Sequence, residues 1–180
     1  MEERIKQEFP KMSHSMRENW FHKKGTDFNP PNIIRYADDF VILHEDKTVV
    51  QKCREITSEW LAGIGLELKP EKTRLAHTFN PEFSEDGNAG FDFLGHHIQQ
   101  YPAGKYRSSK GNCGAILGFN TLITPSAKAS KVHTEEVRII ITKHRSSPQS
   151  ALIDELNPVI RGWSSFYSKS DAKTVGELAK

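Results

Sequence analysis

The stretch from Ile33 to His44 constrains this chain more than any other. Ile33, Ile34 and Tyr36 precede the adjacent pair Asp38-Asp39, and Phe40, Val41, Ile42 and Leu43 follow it. β-Branched and aromatic residues favour extended backbone, so two such runs about a short polar break predict a hairpin with the acids at its tip. Burying adjacent carboxylates beside an apolar hairpin is costly unless something positive offsets it, and a hard divalent cation with a preference for oxygen ligands is suited to that task. Asp is also favoured in turns, where its side chain hydrogen-bonds nearby backbone. From these residues alone the pair stands either as a metal site or as turn chemistry.

The chain has 180 residues, enough for one substantial core or two small, mutually dependent pieces. Its formal charge of +2 hides an asymmetry. Between Phe79 and Gln100 stand Glu82, Glu85, Asp86 and Asp92 with no Lys or Arg, a local charge of −4. Between Tyr101 and Arg145, eight Lys and Arg face only Glu135 and Glu136, a local charge of +6, which suggests a polyanionic partner or a solvated basic surface. Cys53 and Cys113 are far apart and the N-terminus has no secretory apolar run, so a disulfide framework is not expected and the chain reads as cytosolic. No apolar run approaches the roughly 20 residues of a membrane span. His96 and His97 adjoin and would face opposite sides of a strand, and neither Cys lies in a Cys-x-x-Cys pair, so zinc is not expected.

Spacing organises the rest. Met1–Phe9, with Ile5 and Phe9 apolar and Pro10 after them, reads as the end of a helix, and residues 11–31 as an irregular connection. Asp46 is placed to cap a helix from about Lys47 to Gly63, where Val49 or Val50, Cys53, Ile56, Trp60 and Leu61 recur at three- and four-residue spacing, facing the hairpin. Leu66–Leu68 and Thr73–His77 read as two short strands around Pro70. Gly90–Ile98 returns to strand character, with Phe91, Phe93 and Gly95 on one face. After a basic loop, Ala115–Ile123 reads as a strand and Pro125-Ser126 as the start of a helix with Val132, Val137, Ile140 and Ile141 on its apolar face. Ser147-Pro148 starts another helix, in which Pro158 predicts a kink or a fresh start, and a further helix is expected near Asp171.

Tyr36-Ala37-Asp38-Asp39 between apolar strands, then a helix, then Gly65-Leu66-x-Leu68-x-x-x-Lys72-Thr73, then Phe93-Leu94-Gly95, resembles in order and spacing the C-terminal palm of reverse transcriptases, and in detail those encoded by group II introns. Leu156-Asn157-Pro158-x-Ile160-x-Gly162-Trp163-x-x-Phe166-Tyr167 is similar to the maturase-specific thumb segment of the same family. The resemblance covers nearly all of residues 32–168 and implies an α+β fold: an antiparallel palm sheet with a packed helix, followed by an α-helical thumb. Its expected divisions are 1–31, a residual palm helix and loop; 32–101, the C-terminal palm; 102–124, a connection; and 125–180, a partial maturase or thumb domain.

The reaction so implied is template-directed addition of deoxynucleotides to a primer 3′-hydroxyl, with two Mg²⁺ ions activating the hydroxyl and neutralising the leaving pyrophosphate. The resemblance assigns Asp38 as main metal ligand, Asp39 as weaker ligand or support, and Lys72 as the lysine that helps pyrophosphate depart. It places Tyr36 and Ala37 near the nascent duplex and makes Phe93, Leu94 and Gly95 the primer-gripping strand. Lys128, Lys131, Arg138 and Arg145 would meet RNA phosphates. Plainer readings stand beside these: a surface lysine at 72, sheet packing for Phe93, core packing for Trp163 and a solvated face for the basic residues. The expected partners are RNA template or intron RNA, a DNA primer, and a separate chain carrying the fingers; no membrane is expected.

The departures set a further expectation. A two-metal polymerase site needs another Asp from an earlier palm strand, and before Tyr36 the chain offers only Asp27, in a Lys-Lys-Gly-Thr-Asp loop. The fingers and the family's Pro-Gln-Gly segment do not appear. The chain is therefore expected to be part of a reverse transcriptase that cannot polymerise alone. The competing expectations are an RNA-binding maturase module that needs no catalytic metal and an inactive relic.

Overall fold

The computed structural model describes residues 1–9, 30–104, 108–110, 114–168 and 170. The expected connection at 11–29, part of the basic loop near Lys105, and the helix near Asp171 lie outside the described residues. The fold is α+β, and it divides into two compact units, Met1–Leu75 and Ala76–Lys180.

In the first unit, helix α1 (Glu2–Glu8) carries Glu2 and Glu3 in its first turn and Lys6 in its last, charges that complement the helix dipole. Strands β1 (Asn32–Tyr36) and β2 (Asp39–Leu43) pair antiparallel, with Ile33 opposite Ile42 and Tyr36 opposite Asp39. Helix α2 (Lys47–Ala62) begins where expected: the Asp46 carboxylate accepts the Thr48 N–H at 2.8 Å and the Thr48 hydroxyl at 2.8 Å. Its end is closed at Gly65, whose φ of 76° lets Leu66 N–H reach back to Leu61 O (2.9 Å) while Gly65 N–H reaches Ala62 O (3.1 Å), a Schellman closure. Ile5, Cys53 and Ile56 form the core, with Met1, Phe9, Ile33, Ile42 and Val49 packed around it. One face of the hairpin therefore rests on α1 and α2, as the spacing in α2 predicts.

Leu66–Leu68 and Thr73–His77 do not form the two strands expected of them. They flank a turn in which Lys72 and Thr73 N–H both donate to Lys69 O, at 3.0 Å each, and among the described residues neither segment belongs to a sheet, although His77 O accepts the Gly90 N–H at 2.9 Å. Alternating leucines satisfy a strand pattern without supplying the partner that a strand requires.

In the second unit, β3 (Phe91–Phe93), β4 (His96–Pro102) and β5 (Phe119–Pro125) form an antiparallel sheet in that order. Gly90–Ile98 is thus a hairpin and not the single strand expected, because Leu94 (φ 50°) and Gly95 (φ 80°) turn the chain back. β5 pairs with β4 along its whole length, from His96 opposite Pro125 to Pro102 opposite Phe119. Residues on both sides of the composition change near residue 101 therefore share one sheet.

Helix α3 (Ala127–Lys143) is capped by Ser126, whose Oγ accepts the Ala129 N–H, and helix α4 (Gln149–Phe166) follows Pro148. The buried face of α3 is narrower than expected, with the same centre and both flanks open to solvent. His133 and Ile140 are buried and Val137 is half-buried, whereas Val132 is 60% and Ile141 48% exposed. The His133 ring stacks on Trp163 with centroids 4.2 Å apart and planes at 11°, so a histidine occupies the position that hydropathy gives to an aliphatic residue. Pro158 starts no new helix: α4 runs through it. Asp154 and Pro158 are both exposed, so the carbonyl that loses its N–H partner to proline lies on the solvent side of the helix. At the other end of the helix pair, Lys143 Nζ binds both carboxylate oxygens of Glu155 at 2.8 Å and His144 Nε2 approaches the same group at 3.3 Å.

Candidate metal and nucleic-acid site

The two-residue turn of the first hairpin is Ala37-Asp38. Ala37 has φ 52°, in the left-handed range that favours glycine, and Asp38 does not share the positive φ. Alanine there costs roughly 1–2 kcal/mol. Among the described residues, Ala37 and Leu94 are the non-glycine residues with positive φ. Each is the first turn residue of a hairpin, one in Tyr-Ala-Asp-Asp and the other in Phe-Leu-Gly. Such strain persists where surroundings over-determine it, and it clusters at functional sites.

Strand alternation separates the faces of the hairpin. Ile33 and Ile42 face the helices, and Arg35 Nε on the same face lies 3.7 Å from Glu2 Oε1. Ile34, Tyr36 and Asp39 lie on the open face, with Ile34 49% and Tyr36 65% exposed. Asp38 is the second residue of the turn and Asp39 the first of β2, and both are exposed. The burial cost that motivated a cation from sequence is therefore not incurred; what remains is two adjacent carboxylates on an accessible edge. Their donors fit a hard cation. Mg²⁺ is commonly held by one or two carboxylates with water and substrate phosphate completing its shell. Among the described residues no group of three His, Cys, Asp or Glu is placed to hold a metal by itself.

Lys72 lies exposed in the turn after Pro70, in the same unit as the hairpin. Cys53 is no ligand candidate: burial pushes its thiol up to about 11, which keeps it protonated.

Phe93, Leu94 and Gly95 belong to the second unit and form a strand end plus a turn, which corrects the continuous strand expected of them. His97 Nδ1 meets Asp92 Oδ1 at 2.6 Å across β3–β4, while His96 faces the other side, against Phe166 and Tyr167. His97 thus bridges two strands of the sheet, and His96 packs against rings at the end of α4. Lys128, Lys131 and Arg138 are exposed and fall within about 80° of one another around α3, at about 100° per residue, opposite His133 and Ile140. Arg138 also reaches Glu135 at 3.0 Å. Arg145 follows the helix and is exposed, whereas Lys143 is turned to Glu155. Trp163 is half-buried between His133 and Tyr167, the packing role and not a free stacking platform.

Sequence reasoning passed over two residues at this second hairpin. Ser126 appeared only as a helix start and Tyr167 only as part of a motif, yet both bond the Gly95 carbonyl oxygen, at 2.8 and 3.1 Å. Their separations of 31 and 72 residues from Gly95 left no local signal.

Among the described residues no helix is long and apolar enough to cross a membrane. Comparison with curated proteins gives no match. Two family models do match: reverse transcriptase (RNA-dependent DNA polymerase) over residues 9–98, and the group II intron maturase-specific domain over residues 130–179. The first spans both strained hairpin turns and half of the chain, and the second spans α4 and most of α3. The Asp38-Asp39 hairpin thus falls under the first model and the α3–α4 helices under the second, and the chain belongs to the reverse transcriptase family, in its group II intron maturase branch.

Proposed function

We propose that this chain contributes the Asp38-Asp39 hairpin, the Phe93–Gly95 turn and a basic helix face to RNA-templated DNA synthesis by a group II intron reverse transcriptase. The observation that carries the reading is the Ala37-Asp38 turn. A backbone conformation that alanine resists carries two consecutive, exposed Asp residues through the hairpin turn, within the segment matched by the reverse transcriptase model. Enzymes of this family use Mg²⁺, which when bound acidifies the attacking hydroxyl and neutralises charge on the leaving pyrophosphate. Asp38 in the turn is the principal ligand and Asp39, first in β2, the supporting one. Tyr36, on the open face beside Asp39, offers a ring to the sugar or base of the primer end, and the small Ala37 side chain admits its close approach. Lys72 lies in reach of solvent-borne phosphate and aids pyrophosphate departure. Lys128, Lys131, Arg138 and Arg145 hold RNA through its phosphates, without sequence preference.

Two carboxylates are not a complete two-metal site, so the chain alone is expected not to extend a primer. The test adds a protein that supplies reverse-transcriptase fingers and a further palm carboxylate, with RNA template, DNA primer, deoxynucleotides and Mg²⁺. Extension that Asp38→Asn reduces by a thousandfold or more supports the proposal. Extension indifferent to Asp38, or extension by the chain alone, refutes it. RNA binding that survives Asp38→Asn in the absence of any extension favours the maturase reading.

A further inference from the structure

The Leu94-Gly95 turn is held from outside its own hairpin. The Gly95 carbonyl accepts the Ser126 N–H at 2.8 Å and the Tyr167 hydroxyl at 3.1 Å. Ser126 caps the start of α3, and Tyr167 follows the last residue of α4. The beginning of one helix and the end of the other therefore converge on one oxygen atom of the hairpin.

The rings reinforce this. Tyr167 is 4% exposed, and its centroid lies 4.2 Å from that of Trp163 and 4.8 Å from those of His96 and Phe166. His96 is the residue that follows the turn, and Phe166 flanks it at 5.5 Å. Burial raises the Tyr167 phenol above its ordinary range, so the hydroxyl remains a donor at neutral pH. A Cβ at Gly95 would stand 3.0 Å from the Tyr167 oxygen, on a backbone with φ 80°. Glycine thus serves both the turn and the close approach of the tyrosine. Leu94, at φ 50°, occupies the position at which such turns favour Asn, Asp or Gly, and strain of this kind needs surrounding structure to hold it. The two bonds to Gly95 supply that structure.

We propose that Tyr167 is a positioning residue for the Phe93–Gly95 turn: the docked end of α4 holds the strained turn in the shape that it offers to nucleic acid. The functional half of this proposal rests on the reading of the turn as a nucleic-acid contact, given above. Helix α4 lies within the maturase-specific match and the turn within the reverse-transcriptase match. The latch therefore couples the two segments that define the chain.

The test uses the full chain and Tyr167→Phe, which keeps the ring packing and removes only the hydroxyl. Amide hydrogen exchange is followed by NMR with and without a 20-base-pair RNA–DNA hybrid of arbitrary sequence. In the free protein, Tyr167→Phe is expected to speed exchange of the Leu94, Gly95 and His96 amides about fivefold, the factor for one net hydrogen bond, while α3 and β5 amides keep their rates. With hybrid bound, the wild-type turn is expected to gain protection that the variant lacks, at a Kd within about threefold of wild type. Gly95→Ala, which pushes on the same contact from the other side, is expected to reproduce the loss at the turn. Unchanged exchange at 94–96 in Tyr167→Phe overturns the latch, and equal acceleration throughout α3, α4 and the sheet overturns it in favour of general stabilisation. If the hybrid protects α3 but never the wild-type turn, the reading of the turn as a contact fails while the free-protein comparison still decides the latch.

Discussion

Replacing Ile5 by Ala is expected to loosen the Asp38-Asp39 hairpin, although Ile5 stands in a separate seven-residue helix at the start of the chain. Ile5 is 1% exposed and shares the core with Cys53 and Ile56, against which Ile33 and Ile42 of the hairpin pack. The substitution removes three buried carbons, about 2.4 kcal/mol at ~0.8 kcal/mol each. Incomplete collapse of the cavity adds to this, giving a total of about 3 kcal/mol, within the usual range for such a change. A piece of 75 residues has roughly 4–11 kcal/mol of stability, so the loss is a quarter or more of what holds the unit together. At 1.4 kcal/mol per decade, opening becomes roughly a hundredfold more frequent. Hydrogen exchange of β1 and β2 amides reads this directly, with β4 amides as an internal reference. If Ile5→Ala accelerates β1–β2 exchange less than about fivefold, α1 is not what holds the hairpin, and the core described for this unit is wrong.

Ala37→Gly releases the positive-φ strain and is expected to stabilise the hairpin by about 1 kcal/mol, visible as slower β1–β2 exchange; destabilisation would mean that the alanine side chain makes a favourable contact. The Lys143 hydrogen bonds, and next to them the charges of Lys143 and His144, hold the Glu155 carboxyl below the ordinary glutamate range. A depressed acid stabilises the fold fully above its unfolded value of about 4.3 and loses that contribution as pH falls through the lower folded value. Lys143→Met should therefore flatten the acid limb of the α3–α4 melting profile below about pH 4.3, and an unchanged limb would dismiss the pair. Burial holds His133 below the ordinary histidine value, against a smaller opposing pull from Glu136. The neutral ring is favoured by folding, so stability is full above about pH 6.5 and declines as pH falls through that value toward the folded one. His133→Phe is expected to remove that decline, with Trp163 fluorescence as the readout. Lys131→Gln with Arg138→Gln should reduce the slope of log K against log salt for a hybrid by roughly 1 to 2, and an unchanged slope would place the RNA elsewhere.

The family and most of the local structure were legible in the residue pattern. Two apolar runs about Asp38-Asp39 required a hairpin because β-branched residues extend and Asp turns, and Asp46 before an apolar period required a capped helix. These are short-range preferences that a sequence carries in full. Tertiary structure decided what depends on a distant partner. Among the described residues it gave Leu66–Leu68 no strand to pair with, turned Phe-Leu-Gly into a hairpin, and set His133 in the buried face of α3 against Trp163 while Val132 at its flank faces water. It also placed the Tyr167 hydroxyl on the Gly95 carbonyl across 72 residues of sequence. A buried donor and a strained carbonyl find each other only when the chain between them has folded, because the bond belongs to the packing and not to the pattern.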